Sequence, residues 1–170
     1  MLDLLSFGQD QRDGAARSAE PVWRLIADTV MGGRSSGELT VEDFDGRRCL
    51  RLHGHVSLEN NGGFLQAAAD LAGSKAFDAS SFQGVLMEVA GNDEDYNVHL
   101  RTDAMRLPWQ SYRARFHARP GWHSVRLPFA SFRPYRFDAE LDLGGLRRIG
   151  VVAIGREFTA ELRLARVAFY

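Results

Sequence analysis

Short segments in which apolar and polar residues alternate recur along the chain, and they constrain the fold more than any other feature. Between Leu50 and Leu58, apolar residues or glycine occupy every second position, and polar residues fill the others. Because side chains alternate between the two faces of a β-strand, this pattern predicts a strand with one buried face. The predicted strands, one of them a continuous apolar run, are 22–27, 39–44, 48–58, 64–69, 85–89, 96–101, 112–116, 122–127, 149–154 and 160–170.

No segment of helical length follows the helical period. Turn signals such as Asp45-Gly46 separate the strands at about ten-residue spacing, which is typical of a β-sandwich or barrel. Residues 128–146 form a long connection containing Phe and Pro, which favours jelly-roll or Greek-key connections over a simple meander. The 170 residues therefore predict one all-β domain over 21–170, preceded by a leader or edge segment over 1–20.

The location of the protein is predicted from what the sequence contains near its start and from its cysteine. No apolar run approaches the ~20 residues of a membrane span. The first residues lack a basic n-region and a long apolar stretch, so they do not indicate a signal peptide. Asp3, Asp10 and Asp13 argue against a mitochondrial transit peptide. Cys49 is the only cysteine, so no internal disulfide can form, and we expect a cytoplasmic protein.

Basic residues are concentrated in one part of a nearly neutral chain. The net charge is −1, yet the segment 101–136 holds eight arginines and one acidic residue, Asp103, with aromatic residues interleaved. Arginine with aromatics is typical of protein interfaces and of nucleic-acid surfaces. A solvated strand face is the third interpretation, because Lys75 is the only lysine and arginine is the default cation here. The net charge argues against a polyanion binder, and we predict no nucleic-acid partner.

Two glycine-rich loops carry the strongest local signals. The first is 28–37 and the second is 59–63, where Asn and Gly tolerate a positive φ. We hypothesise that the loops lie together, with Asp28 and Glu59 fixing backbone N–H groups, either as a recognition site or only as a rigid corner. The candidate binding residues are Asp28, Met31, Gly32, Gly33, Ser35, Glu59, Asn60, Asn61, Gly62 and Gly63, together with Arg101, Trp109, Tyr112 and Arg113 from the basic segment.

Catalytic and metal chemistry have weaker signals. The chain has no Gly-x-Ser-x-Gly elbow and no P-loop lysine. His53, His55 and Glu59 match the opening of the cupin metal motif, but its later histidine has no counterpart at a matching spacing, and two exposed histidines are the simpler interpretation. The acidic turn 92–95 could hold Ca²⁺, but such turns are usually solvated. We predict no catalytic residue, metal or cofactor.

Taken together, the motifs resemble one known family, the complex I intermediate-associated proteins, which are thirty-kilodalton assembly factors. The resemblance begins near Pro21 and extends almost to the end. The two glycine motifs, in this order and spacing, are its most specific part. The segments that carry it are Trp23, 28–35, 57–64, 84–86, 95–102, 112–116, 122–132 and 149 onward.

The resemblance implies a galactose-binding-like jelly-roll β-sandwich, an architecture shared with many carbohydrate-binding modules. Eukaryotic members help to assemble the membrane arm of respiratory complex I, whereas bacterial members often stand alone. The arginine bias and single-domain length of this chain look bacterial. We therefore expect a non-catalytic binding module, chaperone-like, whose partner is a protein such as a respiratory complex subunit.

Two alternatives to a protein-binding module stay open. One is a carbohydrate-binding module, for which Trp109 beside Arg101 would be the sugar-binding candidates. The other is a cupin-like metalloenzyme. The protein-interface hypothesis predicts an exposed aromatic and arginine surface around Trp109, Tyr112 and Arg113.

Overall fold

The computed structural model describes residues 1–7 and 20–170, which form a sandwich of two antiparallel sheets. This architecture confirms the predicted all-β, two-sheet fold. The strands are β1 (Leu2–Ser6), β2 (Trp23–Ala27), β3 (Ser36–Phe44), β4 (Arg47–Val56), β5 (Phe64–Asp70), β6 (Gly84–Ala90), β7 (Glu94–Thr102), β8 (Ser111–Ala118), β9 (His123–Pro128), β10 (Arg133–Tyr135), β11 (Leu146–Ile154) and β12 (Phe158–Phe169).

Strands that are neighbours in space are mostly distant in sequence. The first sheet has the order β3-β4-β12-β6-β9, with β1 also paired to β12. The second has the order β10-β8-β7-β11-β5-β2. Because β5, β11 and β7 lie side by side, their outward-facing residues form one surface although up to about half the chain separates them.

The core lies between the two sheets and follows the alternation seen in the sequence. Leu52 and Leu162 contribute from the first sheet, and Tyr96, Leu100 and Ile149 from the second, all of them fully buried. Burial of apolar surface at about 25 cal/mol per Å² is the main stabilising contribution of such a core.

The outer face of the first sheet is covered by ion pairs. Arg51 donates two hydrogen bonds to Glu161, at 2.6 and 2.8 Å, and Arg163 donates to Glu42 at 2.6 Å. This face is therefore a solvated polar surface.

Some predicted boundaries differ from the observed ones. Leu2–Ser6 forms an edge strand of the first sheet, and residues 8–19 of the predicted leader lie outside the described residues. The connection 128–146 contains the short strand β10, which extends the second sheet. The described residues also contain short 3₁₀ helices at Asp28–Met31, Glu59–Asn61, Phe129–Ser131 and Leu143–Gly145. In the part of the chain described, no helix has the length and apolar character to cross a membrane.

Candidate functional site

The two glycine-rich loops meet around the buried carboxylate of Asp28. This carboxylate accepts hydrogen bonds from the backbone N–H of Ser35 (3.0 Å) and the hydroxyl of Ser35 (2.5 Å). It also accepts from the backbone N–H groups of Gly63 (2.5 Å) and Phe64 (3.3 Å). The Asp28 side chain therefore joins the end of the first glycine-rich loop, which precedes β3, to the end of the second, which precedes β5.

The protonation state of Asp28 follows from these contacts. Burial alone would raise the pKa of the Asp28 carboxyl, but the hydrogen bonds from Ser35, Gly63 and Phe64 outweigh burial and lower the pKa below its ordinary value. Asp28 is thus an ionised group inside the protein, satisfied by donors from both loops.

Two glycines allow the loops to approach this carboxylate. A Cβ on Gly33 would lie 2.4 Å from the Cγ of Asp28, and a Cβ on Gly62 would lie 2.5 Å from its Oδ2. Any larger residue at either position would overlap Asp28, so here glycine is required by space.

Further contacts close the corner, and one of them differs from the prediction. The Ser35 hydroxyl accepts from the backbone N–H of Ser57 at 2.9 Å, and Asn60 Nδ2 donates to the Gly32 carbonyl at 3.3 Å. Glu59, predicted to fix backbone N–H groups, instead points outward, with its Oε2 at 3.5 Å from Arg34 Nε. The Glu59 side chain is 67% exposed, so it lies in solvent and not against the backbone N–H groups of the corner.

A groove of about 1070 Å³ runs over the outer face of the second sheet, beside this corner. Its floor is formed by outward-facing residues of three adjacent strands, among them Gln66 of β5, Val152 of β11 and His99 of β7. Gly150 of β11 lacks a side chain, and Gln66 lies across it, since a Cβ there would be 2.0 Å from Gln66 Oε1.

The rim of the groove is apolar and exposed. Met31 of the first glycine-rich loop is 51% exposed, and Trp109 on the opposite side is 43% exposed. Val30, Leu58 and Tyr135 also line the groove. The predicted residues Met31, Asn61, Gly62, Gly63, Arg101, Trp109 and Arg113 all line it, so the structure brings the loop and basic-segment candidates together.

Arg101 holds the loop that carries Trp109. Its Nη1 donates to the carbonyls of Leu107 (3.1 Å), Pro108 (3.0 Å) and Gln110 (2.6 Å). Burial, with a smaller contribution from the nearby Arg148, lowers the pKa of the Arg101 guanidinium. Arg101 therefore positions one wall of the groove.

Arg113 lies over the ring of Tyr135, with its Cζ 3.6 Å from the ring centroid. Its Nε donates to Ser111 Oγ at 2.9 Å. Burial, with a smaller contribution from the nearby Arg136, lowers the pKa of the Arg113 guanidinium. The contact is a cation–π interaction that fixes this cation in the groove.

The prediction that Tyr112 is exposed beside Arg113 is wrong. Tyr112 is buried, its hydroxyl donates to the Glu140 carbonyl at 2.7 Å, and its ring packs edge-on against Phe137. Neighbouring residues on a strand point to opposite faces, so Tyr112 and Arg113 cannot share a surface.

His99 and Tyr135 are groove residues that the sequence reasoning did not select. The Nε2 atom of His99 is buried and has no hydrogen-bond partner within the described residues. Burial, with the nearby Arg113 charge, lowers the pKa of His99 to about 3, so the imidazole is neutral at pH 7. The sequence does contain a signal for His99, because it lies two residues before Arg101 and therefore on the same strand face.

The histidines considered as metal ligands lie on the other sheet. His53 Nε2 is 3.4 Å from a carboxylate oxygen of Glu38, and His55 is exposed. Across residues 1–7 and 20–170, His, Cys, Asp and Glu side chains do not gather in groups of three that could hold a metal ion.

The fold is that of a two-sheet β-sandwich, and solved structures share it. A family 11 carbohydrate-binding module from Clostridium thermocellum, in complex with a beta-1,3-1,4-mixed-linked tetrasaccharide, is 11% identical with a TM-score of 0.68, over 86% of this chain and 87% of that one. A family 30 module of a C. thermocellum cellulosomal cellulase is 13% identical with a TM-score of 0.66, over 88% and 91%. An exo-beta-agarase is 9% identical with a TM-score of 0.60, over 99% of this chain and 25% of that one.

The sequence model of complex I intermediate-associated protein 30 (CIA30) matches residues 7–164, and the chain belongs to this family. The resemblance carried by the two glycine motifs is thereby confirmed. No curated protein matches the chain closely enough to count as a relative.

Proposed function

We propose that the protein is a non-catalytic binding module that holds a protein partner in the groove on its second sheet. The observation that carries this proposal is the distribution of exposed apolar side chains. Of nine large hydrophobic residues exposed in the described part of the chain, five line the groove. Clustered apolar side chains on a polar surface are typical of protein interaction sites. The five are Val30, Met31, Leu58, Trp109 and Tyr135.

The carboxylates that line the groove suit binding better than acid–base catalysis. Asp70 and Asp103, its carboxylates, are ion-paired: Arg148 donates to Asp70 at 2.8 Å, and Arg147 lies 3.3 Å from Asp103. Burial would raise the pKa of Asp70, but the hydrogen bonds and charges of Arg148 and Arg24 together outweigh burial and lower the pKa. A carboxylate held ionised by an arginine is a poor proton donor.

Membership of the complex I intermediate-associated family supports an assembly role. In this proposal the partner is a subunit of a respiratory complex before it joins its neighbours, and the module acts like a chaperone for it. A reducing compartment such as the cytoplasm suits the single cysteine, Cys49, which is fully buried as a free thiol.

Carbohydrate binding is the second candidate function. The similarity to two carbohydrate-binding modules, one of them solved with a tetrasaccharide, favours it. Trp109 would supply a flat face for a sugar ring, with Arg101 beside it.

Site-specific photo-crosslinking in the native cell tests the proposal. A photoreactive amino acid would replace Trp109 in the groove and, as the matched control, Thr40 on the opposite sheet. We expect crosslinks to a defined respiratory subunit from position 109 and not from position 40. Equal crosslinking from both positions, or a glycan-array signal without any protein crosslink, would contradict protein binding through the groove.

A further inference from the structure

Four of the six arginines that line the groove lack the carboxylate partners that arginines on the opposite face have. On the first sheet, Arg51 and Arg163 each hold a carboxylate oxygen at 2.6 Å. In the groove, by contrast, four arginines have no ion-pair partner among the described residues. They are Arg101, Arg106, Arg113 and Arg136.

The acidic residues of the groove cannot supply these partners, because they are already used. Asp70 lies 3.1 Å from Arg24 and 2.8 Å from Arg148, and Asp103 is paired with Arg147. The groove therefore holds guanidinium groups without an anionic partner, and two of them, Arg101 and Arg113, are half-buried. A half-buried guanidinium gains most from an anionic partner.

The floor of the groove offers a second unused group next to one of these arginines. His99 on β7 is aligned with Arg113 on β8 and with Gly150 on β11. Buried polar side-chain atoms are nearly always hydrogen-bonded, so the unpartnered Nε2 of His99 is an exception that needs a partner. A neutral imidazole has one N–H to donate, and a carboxylate oxygen is a strong acceptor for it.

We propose that the groove recognises an acidic segment of a partner protein, with a carboxylate of that segment bound between the imidazole of His99 and the guanidinium of Arg113. Apolar side chains that flank this acid pack against Met31 and Trp109. This inference rests on the proposed function, since it names the chemistry of the partner in the same groove.

The rim favours a peptide over an acidic sugar. On the side of the glycine-rich loops it consists of the aliphatic residues Val30, Met31 and Leu58, which suit apolar side chains. Sugars prefer flat aromatic faces, and Tyr135 is already covered by Arg113 at 3.6 Å. Trp109 is then the one large aromatic platform among the described rim residues.

Fluorescence anisotropy with the full chain tests this chemistry. The probe is a short labelled peptide of alternating leucine and glutamate, the matched peptide carries glutamine in place of glutamate, and an oligogalacturonate is the acidic-sugar competitor. We expect the glutamate peptide to bind at least about tenfold more tightly than the glutamine peptide. R113Q should remove about this tenfold, whereas R119Q, which deletes the same charge in an exposed turn outside the groove, should stay within about twofold.

Three other outcomes would overturn the inference. Equal binding of both peptides would mean that the groove takes apolar segments without reading a carboxylate, and the proposed function would stand. Binding of a labelled oligogalacturonate, with binding of neither peptide, would support the carbohydrate alternative and remove both proposals. Equal losses in R113Q and R119Q would show a general charge effect; circular dichroism and the melting temperature of each variant establish that the fold is retained.

Discussion

Asp28 and Gly63, 35 positions apart in the chain, are joined by a hydrogen bond of 2.5 Å from the backbone N–H of Gly63 to Oδ2 of Asp28. The same oxygen receives the Ser35 hydroxyl, so a single carboxylate links the two glycine-rich loops. This corner supports the rim residues Met31 and Leu58, and its stability therefore bears on the shape of the groove.

Replacing Asp28 by Asn should destabilise the protein by about 3 kcal/mol, because an amide NH₂ would face backbone N–H donors in a buried site. Chemical denaturation at pH 7 measures this. The Asp28 pKa is lowered from 3.8, so its stabilisation is complete above that pH and is lost as the pH falls below it. The difference between wild type and D28N should therefore shrink in acid. A difference that is constant with pH would contradict the ionised corner.

The close approach of Gly62 gives a steric prediction. An added methyl group would lie 2.5 Å from Asp28 Oδ2, and Asp28 is held by four donors and cannot move away. We expect G62A to cost about 2 kcal/mol in the free energy of unfolding. The control is G144A in an exposed turn, where the nearest atom would be Asp142 Oδ1 at 3.3 Å, and where we expect a change within about 0.5 kcal/mol. Equal effects would argue against crowding at Asp28.

His99 should make the unliganded protein less stable in mild acid. Its pKa is about 3 in the folded protein and 6.5 ordinarily, so the unfolded chain binds a proton that the folded one does not. The contribution of the neutral His99 to the free energy of unfolding is therefore fully present above pH 6.5. It decreases as the pH falls towards 3, by about 2 kcal/mol at pH 5.

The measurement compares urea denaturation of wild type, H99Q and H55Q at pH 8 and pH 5. H99Q should lose most of the decrease, whereas H55Q, which removes an exposed histidine, should keep it. A decrease of equal size in H99Q would assign the acid sensitivity to other groups.

The strands could be predicted from the sequence because the direction of a side chain on a strand is a local property. Leu52 and Val56 are buried as their alternation predicts. The composition of the two glycine-rich loops was enough to propose that they meet. It was not enough to predict which groups donate hydrogen bonds to Asp28. The groove could not be predicted, because Gln66, His99 and Val152 share a face only through the pairing of β5, β11 and β7, and register across distant strands is not encoded locally.

Tyr112 shows how the same local rule corrects a prediction. Y112F removes the hydroxyl that donates to the Glu140 carbonyl at 2.7 Å and leaves the ring in place. We expect a loss of about 1 kcal/mol in stability and no change in binding at the groove, since Tyr112 faces the core. Denaturation and peptide anisotropy on the same variant measure the two quantities. A weakened affinity in a fully folded Y112F would mean that this side of β8 takes part in recognition.

Arg101 is predicted to order the wall that carries Trp109. In R101M the carbonyls of Leu107, Pro108 and Gln110 lose their shared donor, so this loop should open more readily. We expect amide hydrogen exchange at Met105 and Gln110 to accelerate by about tenfold, with exchange in the core strands unchanged. R115M removes an arginine from the next strand without touching this loop and serves as the control. Unchanged exchange at these amides would show that the loop is ordered by its own turns, so that Arg101 would be free to contact a ligand directly.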